Sequence, residues 1–289
     1  MGTALAVDIG GTKLAVGRVD RSGNLVARRA APTPAHGPAE AMWDRLATLV
    51  EEVRTGDDVV VGAGCGGPMA PGGTTVSPLN IPAWDGFPLR GRLAELTGLP
   101  VHVDNDAKAL ALGEGWVGAA RGVHDFLAMV VSTGVGGGIV LDGRLLDGRG
   151  GNAGHVGHVV VVPDGRVCGC GARGCLEAEA SGTAIRAATG RGPDEAGDEV
   201  RRRTGALVGL AVASVANLLD LGLAVVAGSV ALGYGDAFFA AAQAELDARA
   251  RIEFSRGARI VPAGLGDAGP LVGAAAVGWR GEGADIGIA

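Results

Sequence analysis

Long apolar runs, lysine and cysteine are all scarce in this sequence of 289 residues. No stretch approaches the roughly twenty uninterrupted apolar residues that a membrane-spanning helix needs, so no such helix is predicted. The first residues, MGTALAVDIGGTK, contain neither a basic segment nor a true apolar core, so they do not resemble a secretory signal. We therefore expect a cytoplasmic protein, and disulfide bonds are rare in that compartment.

The basic residues are mostly arginine, because Lys13 and Lys108 are the only lysines. The formal net charge at pH 7 is −6. Nucleic acids are bound mainly through clustered Lys and Arg side chains, so a nucleic acid is not the expected partner. Glycine is abundant, with 53 residues, but the glycines lie between apolar runs. That distribution predicts a folded protein rich in turns rather than a low-complexity chain.

A strand, a glycine turn and a second strand are predicted twice, over 4–19 and again over 125–143. Apolar residues at helical spacing predict a helix over 39–53. This mixture of hairpins with alternating strands and helices predicts a two-lobed α/β protein with a cleft between the lobes. The other predicted elements are strands at 24–30, 58–63, 100–104, 223–227 and 258–262, and helices at 88–97, 179–189, 195–220, 234–250 and 268–280.

Each repeated hairpin contains a glycine-rich turn. The first is Asp8–Lys13, DIGGTK, and the second is Ser132–Gly138, STGVGGG. Glycine lets backbone N–H groups approach phosphate oxygens, and Thr12 adds a hydroxyl donor. A short glycine motif is weak on its own, since a tight hairpin turn uses glycine for other reasons. Two such turns, one in each half of the chain, favour phosphate binding.

The sequence Val103-Asp104-Asn105-Asp106 lies where a predicted strand gives way to a helix. A carboxylate at such a place is often only the N-cap of the helix, and we expect a structural role of this kind for Asp104. The same place also suits a general base, provided that a substrate hydroxyl comes within hydrogen-bonding reach. For Asp106, both interpretations are open at this point.

Three of the four cysteines lie in the segment Ala153–Glu177, AGHVGHVVVVPDGRVCGCGARGCLE. Disulfide bonding there is disfavoured by the expected compartment and by the odd thiol that would be left over. Free buried thiols are a second alternative. Cys65 is expected to be an unligated apolar residue. One imidazole and three thiolates form a closed ligand set typical of structural zinc, from His158, Cys168, Cys170 and Cys175.

The chain resembles the ROK family, which contains sugar kinases and related transcriptional repressors, over almost its whole length. The resemblance implies an actin/hexokinase-like fold of duplicated RNase H-like lobes that close over ATP and a hexose. It rests on Asp8–Lys13, the pair Asn105-Asp106, the loop Ser132–Gly138, and Gly154-His155-Val156-Gly157-His158 followed by Cys-x-Cys-Gly-x-x-Gly-Cys-x-Glu.

We expect an N-terminal lobe of residues 1–105 and a C-terminal lobe of residues 106–267 that carries the zinc segment. A C-terminal helix at about 268–289 is expected to pack back on the N-terminal lobe. ROK kinases commonly dimerise through the zinc-bearing lobe, so the resemblance implies a homodimer.

The resemblance also assigns a role to each motif. Asp106 would be the base toward the C6 hydroxyl of the sugar, and Asp8 would lie near Mg²⁺. ATP, Mg²⁺ and structural Zn²⁺ are thus expected. The nucleotide would be bound through Asp8, Gly10, Gly11, Thr12, Lys13, Thr133, Gly134, Gly136, Gly137, Gly228 and Ser229. The sugar would be bound through Gly67, Asn80, Asn105, Asp106, His155, His158 and Glu177.

His155 departs from the usual family pattern. ROK glucokinases usually have A-G-E-[IV]-G-H where this chain has AGHVGH, Ala153–His158. A carboxylate accepts hydrogen bonds from two hydroxyls, whereas a neutral imidazole offers one donor and one acceptor. N-acetylmannosamine kinases of the family are similar to this chain in having histidine there, where it can donate to an acetamido carbonyl. N-acetylmannosamine is therefore the expected substrate, with glucose or another amino sugar as the alternatives.

Two interpretations without catalysis are weighed against the kinase. A ROK repressor would carry a helix-turn-helix before the first phosphate turn, and only seven residues precede Asp8, so a repressor is not expected. A sugar-binding protein without activity is disfavoured by Asp106 together with the two glycine turns.

Overall fold

The computed structural model describes residues 2–34 and 37–289, in two compact units. The first unit contains Met1–Gly122, Gly143–Ala153 and Gly264–Ala289, and the second contains Val123–Asp142 and Gly154–Ala263. Among the described residues, no helix is long and apolar enough to cross a bilayer.

The strands and helices are numbered in chain order. The strands are β1 (Thr3–Ile9), β2 (Lys13–Val19), β3 (Leu25–Pro32), β4 (Asp58–Cys65), β5 (Val101–Asn105), β6 (Phe126–Val131), β7 (Val135–Leu141), β8 (Arg144–Leu145), β9 (Leu223–Ala227) and β10 (Arg259–Pro262). The helices are α1 (Ala39–Val53), α2 (Leu89–Thr97), α3 (Asp106–Val117), α4 (Leu176–Ala180), α5 (Gly182–Thr189), α6 (Asp198–Leu219), α7 (Ser229–Tyr234), α8 (Asp236–Arg249) and α9 (Gly269–Gly281).

The first sheet has the strand order β3-β2-β1-β4-β5. β1 and β2 form an antiparallel hairpin, while β4 runs parallel to both β1 and β5. β1 is apolar and buried along nearly its whole length, as expected for a central strand covered on both faces. α1 packs against β2 and β3 through its apolar stripe, whose buried residues are Met42, Trp43, Leu46, Leu49, Val50 and Val53.

The second sheet has the order β10-β9-β6-β7-β8. β6 and β7 form an antiparallel hairpin, and β9 runs parallel to both β6 and β10. The run β7-β6-β9-β10 therefore repeats the run β2-β1-β4-β5 in strand order and direction. This repetition confirms the predicted mixed α/β class and the internal duplication that the two hairpin patterns indicated.

The predicted elements differ from the observed ones mainly where a helix is interrupted. The helix expected over 179–189 is two helices, because the Ser181 side chain accepts a hydrogen bond from Ala184 N at 3.1 Å and starts α5 afresh. The helix expected over 234–250 is preceded by α7 and begins only at Asp236, after Gly235 with φ of 54°. Side-chain capping and a left-handed glycine thus override the apolar periodicity.

The compact units differ from the predicted division at residue 105. α3 belongs to the first unit because it packs on α9, where a Cβ atom built on Gly113 would lie 3.0 Å from the Cα atom of Gly273. The segment Gly143–Ala153 belongs there too, since the Lys108 ammonium donates to Asp147 Oδ1 at 2.7 Å and to the Gly151 carbonyl at 3.2 Å. α9 packs on β1, β4 and α3 of the same unit.

α9 approaches β4 so closely that no side chain fits at Gly62. A Cβ atom there would overlap the carbonyl oxygen of Ala274 and lie 2.6 Å from the nitrogen of Gly278. Both atoms belong to helix backbone, which cannot move aside as a side chain could.

We therefore expect Gly62→Ala to lower the free energy of unfolding by about 3 kcal/mol through overpacking. Urea denaturation measures this change. The matched control is Gly56→Ala, because a Cβ atom on Gly56 meets nothing within 4 Å; its change should stay within about 0.5 kcal/mol. Equal stability of the two variants would contradict the packing described here.

Candidate active site

The carboxyl ends of β1, β4 and β5 meet at one edge of the first sheet. Ile9 pairs with Cys65, and Cys65 pairs with Asn105, so these three strand ends lie side by side. The segments that follow them are the first glycine turn, the loop from Gly66 and the start of α3 at Asp106. This edge is where α/β sheets commonly bind ligands.

Asn105 is the N-cap of α3, and Asp106 is its first residue. The Asn105 side chain accepts a hydrogen bond from Ala107 N at 3.0 Å, and Asp106 Oδ1 accepts from the same amide at 2.9 Å. The capping role that the sequence left open for Asp106 thus falls on Asn105. Asp104 is bound by the Lys108 ammonium at 2.8 Å, in keeping with a structural role.

Asp8, Asp106 and Cys65 form an electrostatically linked group. The pKa of Asp8 is raised to about 7, mainly by burial and further by the negative charge of Asp106, while Lys13 acts in the opposite direction. Burial also raises the pKa of the Cys65 thiol well above its ordinary value, with smaller contributions from Asp106 and Asp8. Cys65 is fully buried and remains a neutral thiol. Two half-buried carboxyls near a lysine are a site suited to a cation.

The first glycine turn is held by its carbonyl groups. Gly10 N donates to the Lys13 carbonyl at 3.0 Å, Thr33 N to the Thr12 carbonyl at 3.0 Å, and Thr33 Oγ1 to the Gly10 carbonyl at 2.7 Å. None of these bonds uses the N–H groups of Gly11 or Thr12, which are therefore the donors that an anion would contact.

The loop after β4 brings Gly67 and Asn80 to this turn. Leu79 N donates to the Gly67 carbonyl at 3.4 Å, which closes the loop. A Cβ atom on Gly11 would lie 2.8 Å from the Asn80 Cβ atom, so Asn80 packs directly on the turn. The structure therefore unites residues that the sequence assigned to nucleotide and to sugar.

The second glycine turn, Ser132–Gly134, is held in the same way. Gly182 N donates to the Ser132 carbonyl at 2.7 Å, and the Thr183 hydroxyl donates to the Thr133 carbonyl at 2.9 Å. The N–H groups of Thr133 and Gly134 take no part in these bonds. Ser132 Oγ lies 2.9 Å from Ser229 Oγ, which places the predicted adenosine-side residue against the turn.

The predicted extent of this second turn is wrong. Gly136 and Gly137 lie within β7, which begins at Val135. Glycine is used there for close packing instead. A Cβ atom on Gly137 would lie 3.0 Å from the Gly154 carbonyl oxygen, and one on Gly157 would overlap the Val135 carbonyl oxygen. The AGHVGH segment therefore lies flat against β7.

His155 and His158 stand on this segment with their ring centroids 6.0 Å apart and their planes nearly parallel. His155 is exposed and His158 is half-buried. Glu177 is also half-buried, and its carboxylate accepts a hydrogen bond from Val135 N at 3.0 Å. The predicted sugar-binding residues of the second unit thus lie around β7.

The four predicted zinc ligands come together within the second unit. Their ligand atoms all lie within 4.8 Å of one another. Cys170 Sγ is 3.7 Å from Cys175 Sγ, and Cys168 Sγ is 3.7 Å from His158 Nδ1. Tetrahedral zinc with Zn–S of about 2.3 Å and Zn–N of about 2.0 Å requires separations of roughly 3.5–3.8 Å. The donor set and these two separations therefore fit zinc, whereas a disulfide requires about 2.05 Å between sulfurs.

Sequence reasoning missed the residues that hold the two turns. Thr33 lies 23 residues from Gly10, and Thr183 lies 50 residues from Thr133. Neither belongs to a recognisable motif. The repetition of the hairpin was the only signal, since each half of a duplicated fold needs an anchor for its turn.

Solved structures of the ROK family share this architecture. The crystal structure of a ROK family glucokinase from Streptomyces griseus in complex with glucose and AMPPNP matches with a TM-score of 0.85 and 32% identity, over 96% of this chain and 100% of that one. The family model of ROK matches residues 4–279. The chain belongs to the ROK family.

Two curated relatives carry the names of sugar kinases. An N-acetylmannosamine kinase of Citrobacter koseri is 47% identical over 186 residues, which cover 64% of this chain and 64% of that protein. A glucokinase of Thermotoga maritima is 43% identical over 185 residues, which cover 63% of this chain and 58% of that protein. The matched region thus spans less than two thirds of the length of either relative.

Proposed function

We propose that this protein is an ATP-dependent kinase that phosphorylates the C6 hydroxyl of an amino sugar, with N-acetylmannosamine as substrate. The observation that carries the proposal is the placement of Asp106 at the start of α3, on the same sheet edge as Asp8 and the first glycine turn. A carboxylate there can accept the proton of a sugar hydroxyl while amide groups bind the transferred phosphate.

Phosphoryl transfer depends mainly on positioning and on neutralising charge. The N–H groups of Gly11, Thr12, Thr133 and Gly134 donate to phosphate oxygens, and Lys13 adds positive charge beside the first turn. A bound Mg²⁺ would supply further charge neutralisation, and the Asp8–Asp106 pair fits it. Asp106 takes one proton late in the reaction, so an ordinary carboxylate suffices.

The remaining nucleotide-binding assignments are proposals of the same kind. Gly10 shapes the first turn, and Gly228 with Ser229 binds near the adenosine. Gly137 acts indirectly, because it seats the AGHVGH segment on β7, and Gly136 precedes it in the same strand.

The sugar is proposed to contact Gly67, Asn80 and Asn105 of the first unit. In the second unit, His155, His158 and Glu177 provide the contacts. The exposure of His155 and the half-burial of His158 suit this division, since the His158 imidazole belongs to the metal cluster while the His155 side chain reaches solvent.

The identity of the sugar is the finer part of the proposal. The C. koseri relative named N-acetylmannosamine kinase supports it, and the donor capacity of His155 suits an acetamido carbonyl. Glucose is the second candidate, because the T. maritima relative is named glucokinase and the S. griseus structure holds glucose.

A panel of sugars tests the substrate. ADP release is measured with N-acetylmannosamine, glucose, N-acetylglucosamine, glucosamine, mannose, fructose and 3-amino-3-deoxyglucose. We expect the highest kcat/KM with N-acetylmannosamine. In His155→Glu, the ratio of kcat/KM for glucose to that for N-acetylmannosamine should rise by about tenfold or more, since a carboxylate accepts from two hydroxyls.

The control for this panel is His124→Glu, which changes an exposed histidine outside the site and should leave the ratio unchanged. Strong glucose turnover without N-acetylmannosamine turnover would reject the substrate assignment. Absence of turnover with every sugar would favour a sugar-sensing regulator.

Asp106→Asn tests the catalytic base. We expect kcat to fall by at least about a hundredfold, because the proton acceptor is lost, while the Kd of the sugar changes less than about threefold. Rapid-quench assays and calorimetry measure the two quantities. A variant that kept kcat within about tenfold of wild type, roughly 1.4 kcal/mol, would show that Asp106 is not the base. Asp44→Asn, on the exposed face of α1, is the control.

Structural zinc is proposed at His158, Cys168, Cys170 and Cys175, where it fixes the segment that carries the sugar-binding histidines. We expect one zinc per chain by atomic absorption, and a rise in sugar KM of about tenfold after chelation or in Cys170→Ser. Cys65→Ala, outside the cluster, should keep its zinc. Unchanged KM after verified zinc loss would separate the metal from sugar binding.

A homodimer is also proposed on the family resemblance, through the unit that carries the zinc segment. Light scattering coupled to gel filtration measures the mass of the assembly, and a monomer at micromolar concentration would reject the proposal.

A further inference from the structure

The Glu177 carboxylate is engaged by the protein itself. It accepts a hydrogen bond from Val135 N at 3.0 Å, and Val135 is the residue that follows the second glycine turn. We infer that Glu177 is a positioning residue for the turn Ser132–Gly134, in addition to the sugar contact proposed above. The inference rests on the proposed function, because that function assigns nucleotide binding to this turn.

Gly134 leaves room for that carboxylate. A Cβ atom on Gly134 would lie 2.8 Å from Glu177 Oε2, closer than real Cβ contacts come. The φ of Gly134 is not in the left-handed region, so its backbone conformation does not by itself require glycine. The space taken by Glu177 accounts for the glycine at this position.

The same stretch of chain holds the rest of the turn. Gly182 N donates to the Ser132 carbonyl, and the amide and hydroxyl of Thr183 both donate to the Thr133 carbonyl. Beyond the turn, the Glu177 carboxylate accepts from Val135 N. The turn is therefore fixed at both ends by a segment of seven residues, numbered 177–183. The first residue of this segment also follows Cys175 by two positions, so the metal cluster and the turn are connected through Glu177.

This arrangement has a consequence for ligand binding. If Glu177 only met sugar hydroxyls, its replacement would weaken sugar binding alone. Because it also sets the position of the Thr133 and Gly134 amides, its replacement should weaken nucleotide binding in the absence of any sugar. The first turn shows a similar relation, with Asn80 packed on Gly11.

Calorimetric titration with AMPPNP, without sugar, tests the inference in the 289-residue chain. Glu177→Ala should bind about tenfold more weakly, as expected for loss of a hydrogen bond to a charged acceptor. Glu177→Gln should recover part of this affinity, because its amide oxygen still accepts from Val135 N. Glu199→Gln, an exposed change on α6, is the matched control and should bind as wild type does.

A double-mutant cycle isolates the contact between Gly134 and Glu177. In the wild-type background, Gly134→Ala should weaken AMPPNP binding about fivefold, because the new methyl group displaces the Glu177 carboxylate. In the Glu177→Ala background it should have no further effect. Gly197→Ala, where a Cβ atom meets nothing within 4 Å, controls for the glycine change. Full additivity of the two changes would overturn the inference, as would unaltered AMPPNP affinity in Glu177→Ala.

Hydrogen exchange separates this inference from the proposed function. The Val135 amide should exchange about tenfold faster in Glu177→Ala than in wild type, provided that circular dichroism shows both folded. Unchanged exchange in the folded variant would overturn the inference whatever the nucleotide result. Faster exchange in a protein that binds no AMPPNP and phosphorylates no sugar would reject the kinase and leave the positioning role established.

Discussion

In both compact units, backbone lies against backbone where a Cβ atom would intrude, and the site is built on these approaches. α9 touches β4 at Gly62, and the AGHVGH segment touches β7 at Gly137 and Gly157. Such contacts fix the spacing of the two chain segments, because neither has a side chain that could adapt. These contacts position the sheet edge in the first unit and the histidines in the second, and the proposed phosphoryl transfer depends on such positioning.

The two units supply different kinds of polar group. The first places two carboxyls, Asp8 and Asp106, at the ends of parallel strands, where the charge of Asp106 helps to raise the pKa of Asp8. The second places imidazoles and a carboxylate beside one strand, β7, and one of these imidazoles belongs to a cluster of three thiols. The duplicated hairpins provide the same backbone donors in both. The two copies of the hairpin thus share their backbone geometry, while the side chains around them differ.

The sequence predicted the α/β class, the duplicated hairpin, helix α1 and the ligand set around His158, because each depends on local pattern or on a specific motif. It could not predict that Thr33 and Thr183 anchor the turns, since those contacts join distant positions. It also placed Gly136 and Gly137 in a turn, because sequence does not distinguish glycine needed for a bend from glycine needed for close packing. Like the anchoring by Thr33 and Thr183, the contact of Glu177 with Val135 joins distant positions, 42 residues apart, and so it was missed.

The pKa of about 7 at Asp8 links the site to the proton concentration of its surroundings. Because burial raises the pKa of this carboxyl into the neutral range, a substantial fraction of the molecules holds a proton there at neutral pH while no cation is bound. On the proposed function, a magnesium–nucleotide complex that arrives beside Asp8 must displace that proton. Its apparent affinity therefore increases as the pH rises through 7 and levels off above it. The heat of binding then depends on the ionisation enthalpy of the buffer that takes up the released proton.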